Sequence, residues 1–236
     1  MPNDKRHPRV DQLIASLGYA SRRDVPVLIK KNILRADGID KLKADMRLDP
    51  ELLRVGGEPL DHPHGLLILL HKPLGVVCSH NEDEGQLVYD LLPARWSQRE
   101  PQLVSVGRLD KETSGLLLLT DQHDLVHRLT SPKHHVAKTY HVRVSAPLDP
   151  ELVAIFKSGE LILKGEEKPC LPAELTIHTE FTATVVLQEG RYHQVRRMFA
   201  AHGCPVVELH RSRFGALELG SLAPGEFVNL PLTTQI

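Results

Sequence analysis

Two short, uninterrupted apolar runs, Leu66–Leu70 and Leu116–Leu119, place the strongest constraint on how this chain folds. Each run is typical of a buried strand and is far too short to span a membrane. Residues 138–144 alternate between apolar and polar side chains instead, which predicts a half-buried strand, and residues 182–188 form a further β-branched run. Short strands interleaved with few helices predict an α+β fold on a mixed, mainly antiparallel sheet.

Glycines and prolines concentrate at residues 56–65, a composition that discourages both helix and interior strand. We therefore expect a small N-terminal α/β module at residues 1–60, a linker at 61–65 and a larger domain at 66–236. The larger domain also has two predicted helices, which cover Gln122–Leu129 after an Asp121 cap and His193–Ala201 before Gly203.

The N-terminal module begins with apolar residues that recur at helical spacing from Val10 to Leu17. A second helix is predicted after Ser21 as its N-cap, with Pro26 in its second turn, where proline costs stability. Basic residues cluster on and just after this second helix: Arg22, Arg23, Lys30, Lys31 and Arg35. Such a cluster is either a solvated helix face or an RNA-binding surface.

Bulk composition makes no case for a nucleic-acid partner, because the formal net charge of the chain is only −1. Any RNA-binding surface must therefore be a local patch. Cys78, Cys170 and Cys204 lie far apart and form no CxxC pair, as is usual for reduced thiols in a cytosolic protein. The first residues contain no apolar run of the secretory type, so we expect a soluble, cytoplasmic protein that contacts no membrane.

An acidic residue, Asp110, lies in a polar loop shortly before the apolar run at Leu116–Leu119. Gly107 and Gly115 bracket this loop and permit tight backbone turns. Loops at the ends of buried strands often carry catalytic groups. An aspartate in a turn is, however, more often a former of local Asx turns.

A second polar segment covers residues 189–199, in which Arg196 borders the apolar stripe of a predicted helix. An arginine at the edge of a core needs an anion, unless its side chain extends to solvent. A third segment covers residues 131–140, in which Tyr140 shares its strand face with valines. Its ring is either an ordinary core tyrosine or a wall of a site. The lysines and the paired histidines of this segment are candidates for phosphate contacts; we expect no metal site, because no third ligand accompanies His134-His135.

Taken together and in this order, these segments resemble the ribosomal-RNA pseudouridine synthases. The resemblance is carried by three motifs: Gly107-Arg-Leu-Asp110 with Thr113-Ser-Gly115, Lys138-Thr-Tyr140, and Gly190-Arg-Tyr-His-Gln-Val-Arg-Arg-Met198. The stretches Thr130-Ser-Pro-Lys-His-His135, Glu208-Leu-His-Arg211 and Leu222-Ala-Pro-Gly-Glu226 are similar to the group that modifies uridine 516 of 16S rRNA. Residues 9–60 resemble an S4 RNA-binding module.

The resemblance implies a catalytic domain with a central cleft and assigns roles to residues of this chain. Asp110 matches the catalytic aspartate, Tyr140 an active-site tyrosine, and Arg196 the basic residue that pairs with the aspartate. The substrate-binding residues that it implies are Arg108, Leu209, His193 and Gln194. The expected RNA-binding residues are Arg22, Arg23, Lys30, Lys31, Arg35, Lys133 and Arg197.

The chemistry of uridine isomerisation fits these residue types. The reaction breaks a C–N glycosidic bond, turns the uracil and rejoins it through carbon, so it needs neither redox chemistry nor hydrolysis, and we expect no metal or cofactor. A carboxylate that must stay ionised in a dry pocket needs a guanidinium nearby, because burial alone raises its pKa. A flat ring can pack on the extruded base.

Three alternatives remain beside a 16S rRNA synthase. The first is the same reaction on 23S rRNA, whose synthases tend to carry a basic C-terminal extension that does not follow Pro231 here. The second is a catalytically silent RNA-binding or ribosome-assembly protein, in which we would expect the catalytic aspartate to be absent. The third is an Asp-dependent hydrolase, for which Glu112 is the nearest second carboxylate. We expect a monomer that acts on rRNA, within a partly assembled small subunit or free.

Overall fold

The structure is a computed structural model that describes residues 5–131 and 134–236. The described chain separates into two compact units. The first consists of the residues up to Leu67 together with Leu92–Val104 and Thr120–His123. The second consists of Ile68–Leu91, Ser105–Leu119 and the described part of Asp124–Ile236. No helix in the described ranges is both long and apolar enough to cross a membrane.

The first unit packs two short helices against a three-stranded antiparallel sheet of order β1-β2-β3. Apolar side chains at the predicted helical spacing, Val10, Leu13, Ile14 and Leu17, are all buried in its core. Its elements are α1 (Val10–Ser16), α2 (Val25–Lys30), β1 (Leu34–Ala36), β2 (Leu53–Val55) and β3 (Glu58–Pro59). The small α/β arrangement expected for the N-terminal part is present.

Helix α2 begins three residues later than the predicted Ser21 cap implies. Asp24 precedes its first residue, and the Ser21 hydroxyl donates to the Asp24 carboxylate instead of accepting a hydrogen bond from a helix N–H. Pro26 consequently lies in the first turn, not the second. A proline is tolerated there because the N–H that it lacks would have no helical partner, which removes the expected stability cost.

Asp121 joins three parts of the first unit and does not cap a helix, contrary to the prediction. Its Oδ1 accepts the Leu66 N–H at 2.8 Å, and its Oδ2 accepts the Arg99 Nε–H at 3.0 Å. Both Asp121 and Arg99 are buried. The Trp96 indole likewise donates to Asp61 at 2.6 Å. Residues well beyond the expected module therefore contribute to this unit, and the division at residues 61–65 stays a prediction.

The larger sheet is mixed, with the strand order β12-β4-β6-β10-β7-β9-β8 and with β11 beside β10 and β5 beside β6. Strand β10 pairs in parallel with β6, whereas the pairs β10–β7, β7–β9, β8–β9 and β12–β4 are antiparallel. Its strands are β4 (Leu67–Lys72), β5 (Val104–Ser105), β6 (Ser114–Thr120), β7 (Lys138–Val144), β8 (Glu174–Thr179), β9 (Thr182–Leu187), β10 (Val206–Phe214), β11 (Leu217–Glu218) and β12 (Phe227–Asn229). The predicted α+β class and mainly antiparallel sheet are confirmed.

Three further helices accompany this sheet: α3 (His123–Thr130), α4 (Glu151–Ser158) and α5 (Gln194–Ala200). Phe156 of α4 meets Phe199 of α5 edge to face, with ring centroids 5.1 Å apart. Helix α4 and strands β8 and β10 had not been predicted. Strand β10 carries four charged or histidine side chains within Val-Val-Glu-Leu-His-Arg-Ser-Arg-Phe, so no apolar alternation marks it.

Gly115 lets two strands approach each other beneath the Asp110 loop. It pairs with Arg211 where β6 and β10 run in parallel, and its φ is +113°. A Cβ at this position would lie 2.2 Å from the Arg211 carbonyl oxygen. Only glycine fits such a contact, and this close approach fixes the Asp110 loop against β10.

Candidate active site

A cavity of about 480 Å³ lies in the second unit. Its wall includes the loop from Val106 to Asp110, the inner faces of β7 and β10, and the segment from Glu189 to Val195. Asp110, Tyr140 and Leu209, which the sequence had predicted as parts of one site, all line this cavity. Tyr140 is 9% exposed and Leu209 is 4% exposed, so both present apolar surface from within the wall.

The Asp110 carboxylate does not close the turn in which it lies. Within the described ranges, the only partner of its oxygens is His193, whose Nε2 lies 3.3 Å from Oδ1. The turn itself is closed by the backbone, since the Thr113 N–H donates to the Asp110 carbonyl at 3.0 Å. An Asx turn would use the carboxylate to accept a backbone N–H. The carboxylate is instead available to a substrate.

Two basic side chains hold the Asp110 loop by its backbone carbonyls. Lys72 is fully buried at the end of β4, and its Nζ donates to the Thr113 carbonyl at 2.8 Å. Burial lowers the pKa of Lys72, while the charges of Cys78, Asp110 and Glu112 oppose that shift. The sequence interpretation had overlooked Lys72, although a lysine directly after an apolar run and before a Pro-Leu-Gly turn is an unusual place for a charge.

Arg196 is the other basic side chain, and the ion pair predicted between Arg196 and Asp110 is wrong. Its guanidinium donates to the Glu112 carbonyl at 2.5 Å and to the Val206 carbonyl at 3.1 Å. Helix α5 begins at Gln194, and each further residue turns by about 100° around the helix axis. Gln194 and Val195 therefore line the cavity, and Arg196 lies outside its wall.

Arg211 supplies the buried guanidinium that the sequence interpretation had assigned to Arg196. It lies on β10 opposite Tyr140, lines the cavity and is only 2% exposed. Its Nε donates to the Leu116 carbonyl at 2.8 Å, while its Nη2 has no hydrogen-bond partner among the described residues. A buried cationic nitrogen without a partner is costly, and such groups are concentrated at functional sites. The signal for this residue in the sequence is the motif Glu208-Leu-His-Arg211.

The cavity is more basic than the chain as a whole. Five Lys or Arg side chains line it against three carboxylates, whereas the net charge of the chain is −1. Lys138 lies among them, and burial together with the neighbouring Arg211 lowers its pKa to about 8, against the opposing charge of Glu189. Arg108 is exposed and makes no hydrogen bond or ion pair within residues 5–131 and 134–236. Such a cavity favours an anionic ligand.

Comparison with known proteins identifies the family of this chain. Residues 66–201 match the RNA pseudouridylate synthase family. The ribosomal small subunit pseudouridine synthase A of Salmonella typhimurium is 40% identical over 230 residues, which is 96% of this chain and 97% of that protein. The Escherichia coli protein of the same name is 39% identical over 232 residues, with the same coverage. This chain belongs to the RNA pseudouridine synthase family.

A solved structure agrees with the assignment. A crystal structure described as a pseudouridylate synthase superposes on this synthase with a TM-score of 0.66 at 35% identity, over 94% of this chain and 96% of that one. An uncharacterized RNA pseudouridine synthase of Bacillus subtilis is 36% identical over 227 residues, 94% of each chain.

Among the described residues, no group of three or more His, Cys, Asp or Glu side chains could hold a metal ion.

The remaining predicted residues of this synthase differ in how available they are. His193 lines the cavity beside Asp110. The Gln194 side chain is buried: its amide nitrogen donates to the Glu189 carboxylate, and its amide oxygen accepts the Arg191 N–H. Arg197 pairs with Glu166 at 2.9 Å and donates to the Lys164 carbonyl, so the structure gives no support to its predicted RNA contact. Lys133 lies outside the described residues.

The reduced pKa of Lys138 predicts how RNA binding by this synthase depends on pH. Its positive charge is present below about pH 8 and is lost as the pH rises through that value. RNA affinity should therefore fall about tenfold more between about pH 7 and about pH 9 than in the Lys138→Arg variant, because arginine stays charged. The two titrations are compared by fluorescence anisotropy with one RNA, so that ionisation of the RNA itself cancels. Equal pH profiles would show that Lys138 does not contact the RNA.

Proposed function

We propose that this synthase isomerises a uridine of small-subunit rRNA to pseudouridine, with uridine 516 of 16S rRNA as its target. The observation that carries the reaction is one cavity lined both by an available carboxylate, Asp110, and by the buried guanidinium of Arg211, whose Nη2 has no hydrogen-bond partner among the described residues. The names of the most similar relatives support the small subunit as the source of the RNA. We propose a partly assembled subunit as substrate and a monomer as the active form.

The target uridine must leave its base stack, because Asp110 lies inside a cavity that a paired base cannot enter. Tyr140 then packs on the uracil, and Leu209 fills the wall beside it. In the reaction the C1′–N1 bond breaks and a C1′–C5 bond forms, while the proton on C5 leaves and N1 takes up a proton. Atoms and electrons balance within the nucleotide, so the residues need only supply the carboxylate and stabilise charge.

Arg211 has the second role in this mechanism. Asp110 acts at the sugar or at the base, and in either case the carboxylate must be ionised inside a partly dry cavity. The Arg211 guanidinium lines the same cavity and stabilises negative charge that develops on the uracil. Arg196 and Lys72 act at a distance, because they donate to the Glu112 and Thr113 carbonyls, which follow Asp110 in its loop, and so position Asp110.

The proposed target is tested by sequencing rRNA from a deletion strain with a pseudouridine-specific chemical probe. Loss of the signal at position 516 of 16S rRNA, restored by the wild-type gene but not by Asp110→Asn, is the expected result. Loss of a signal in 23S rRNA would replace the proposed target. An unchanged signal everywhere would favour a silent assembly factor. Purified synthase, assayed on naked 16S rRNA and on assembly intermediates, identifies the form of the substrate.

We also propose that the first unit anchors RNA through its basic cluster. All five side chains of the cluster are exposed, but Arg22 pairs with Asp11 at 3.1 Å and Arg35 donates to the Asn32 carbonyl. Arg23, Lys30 and Lys31 are therefore the more available cations. Point variants are preferable to deletion of residues 1–60, because the Arg95 side chain donates to the Leu17 carbonyl at 3.0 Å and deletion would remove that contact.

Replacing Arg23, Lys30 and Lys31 together with Ala should weaken RNA binding and flatten its dependence on salt. Each phosphate contact that is lost reduces the slope of log affinity against log salt by about 0.7–0.9, so the expected change is about 2. The matched control replaces three exposed lysines of the second unit, Lys157, Lys164 and Lys168, with Ala. If both triple variants bind with the wild-type slope, the first unit does not anchor RNA.

A further inference from the structure

The aromatic residue Tyr192 is largely exposed to solvent, although it lines the cavity. Its side chain is 74% exposed, the largest fraction among the exposed large hydrophobic residues of the described chain, yet Tyr192 lines the catalytic cavity. Tyrosine side chains usually bury most of their ring in a core or in an interface. An aromatic ring at the wall of a functional cavity that covers no core surface is available to a partner.

The ring has one covered face and one open face. It stacks on the His193 ring with centroids 3.9 Å apart and an angle of 16° between the planes. His193 in turn places its Nε2 3.3 Å from the Asp110 carboxylate. Because three quarters of the Tyr192 side chain remain accessible, the face away from His193 must be open to solvent. The stack therefore leads from the catalytic carboxylate outwards to solvent.

The backbone on both sides of Tyr192 is held firmly. His193 adopts a left-handed conformation, with φ at +49°, directly before α5. On the other side, the Arg191 guanidinium donates to the Glu189 carboxylate at 3.1 Å and to the Lys168 carbonyl at 2.7 Å. The Arg191 N–H is accepted by Gln194. The exposed ring therefore stands on a preorganised turn, which lowers the entropy lost when a partner stacks on it.

We propose that the open face of Tyr192 is a stacking platform for a nucleobase of the substrate strand next to the uridine that enters the cavity. The proposal rests on the proposed function, since it concerns the same cavity and the same RNA. Extrusion of one base exposes the faces of its neighbours, and an aromatic side chain stacks on any base because every base has a π face. The exposed basic side chains Arg108 and Lys111 line the same cavity and can hold the adjoining phosphates.

The test is a mutant cycle between the protein and the RNA. The RNA is the fragment that the rRNA mapping identifies, with an abasic site placed in turn at each of the two nucleotides on either side of the target uridine. All proteins carry Asp110→Asn, so that turnover does not enter the measurement. Tyr192→Ala should weaken binding of the intact RNA about tenfold or more, and Tyr192→Trp should retain it. For one of the four abasic RNAs, Tyr192→Ala should not lower the binding affinity any further.

The matched control is Phe181→Ala, which removes another exposed aromatic ring, 41% accessible, that does not line the cavity. It should leave the affinity for every RNA unchanged. An affinity for intact RNA that Tyr192→Ala leaves unaltered, or a loss of the same size with all four abasic RNAs, would overturn the platform. These results are distinct from a failure of the proposed function, which would appear as no missing pseudouridine in the deletion strain and would overturn both.

Discussion

Asp110→Asn should abolish pseudouridine formation while the protein stays folded. The substitution keeps the volume of the side chain and removes the carboxylate, whose only partner in the described ranges is His193 at 3.3 Å. Loss of a covalent or acid–base group usually lowers the rate by more than about a hundredfold. The measurement is single-turnover release of tritium from RNA labelled at C5 of uridine, combined with the free energy of unfolding in urea.

Because Asp110 is about a third exposed and its carboxylate has a single, partly exposed partner, the free energy of unfolding should change by less than about 1 kcal/mol. The matched control is Glu112→Gln, which removes the nearest other carboxylate of the same loop and should leave the rate within about threefold of wild type. A rate for Asp110→Asn above about a hundredth of the wild-type rate would exclude Asp110 as the catalytic residue. A large loss in Glu112→Gln would instead favour two-carboxylate chemistry.

Arg211→Met should lower the rate of the reaction but leave the free energy of unfolding nearly unchanged. The variant removes the buried guanidinium of β10, whose Nη2 lacks a partner, and leaves a side chain of similar length. If Arg211 stabilises charge in the reaction, the rate should fall by about 10²–10³. The free energy of unfolding should stay within about 1 kcal/mol of wild type, because methionine removes the cost of burying a cation and this gain offsets the hydrogen bond lost at the Leu116 carbonyl. Single-turnover kinetics and urea unfolding measure the two quantities.

Arg196→Met is the matched comparison, since both guanidinium groups donate to backbone carbonyls but only Arg211 lines the cavity. Arg196→Met should lower the rate less than Arg211→Met, because it acts only by positioning the Asp110 loop. It should also lower stability, since the Glu112 and Val206 carbonyls lose their donor. If Arg196→Met proves the more damaging to the rate, the assignment of the catalytic cation to Arg211 is wrong.

Local patterns were sufficient for most of the strands that build the site. The buried runs became β4 and β6, and the alternating segment at residues 138–144 became β7 with the predicted bounds. In each case the apolar side chains predict a strand with one or two buried faces, and this prediction does not depend on which strands are its neighbours. Strand β10 could not be recognised in this way, because its burial depends on pairing with β6 and β7 and not on its own hydrophobicity.

The sequence by itself also determined the family and the position of Asp110, because the family motifs are short and contiguous and need no knowledge of distant contacts. Only the tertiary structure decided which arginine enters the cavity. Arg196 and Arg211 both lie in basic motifs, and a sequence pattern does not state which of them lines the cavity. The phase of α5 directs Arg196 to the backbone of the loop, whereas the parallel pairing of β10 with β6 at Gly115 buries Arg211 beside the Asp110 loop. Both outcomes depend on contacts between residues about a hundred positions apart, which local pattern cannot encode.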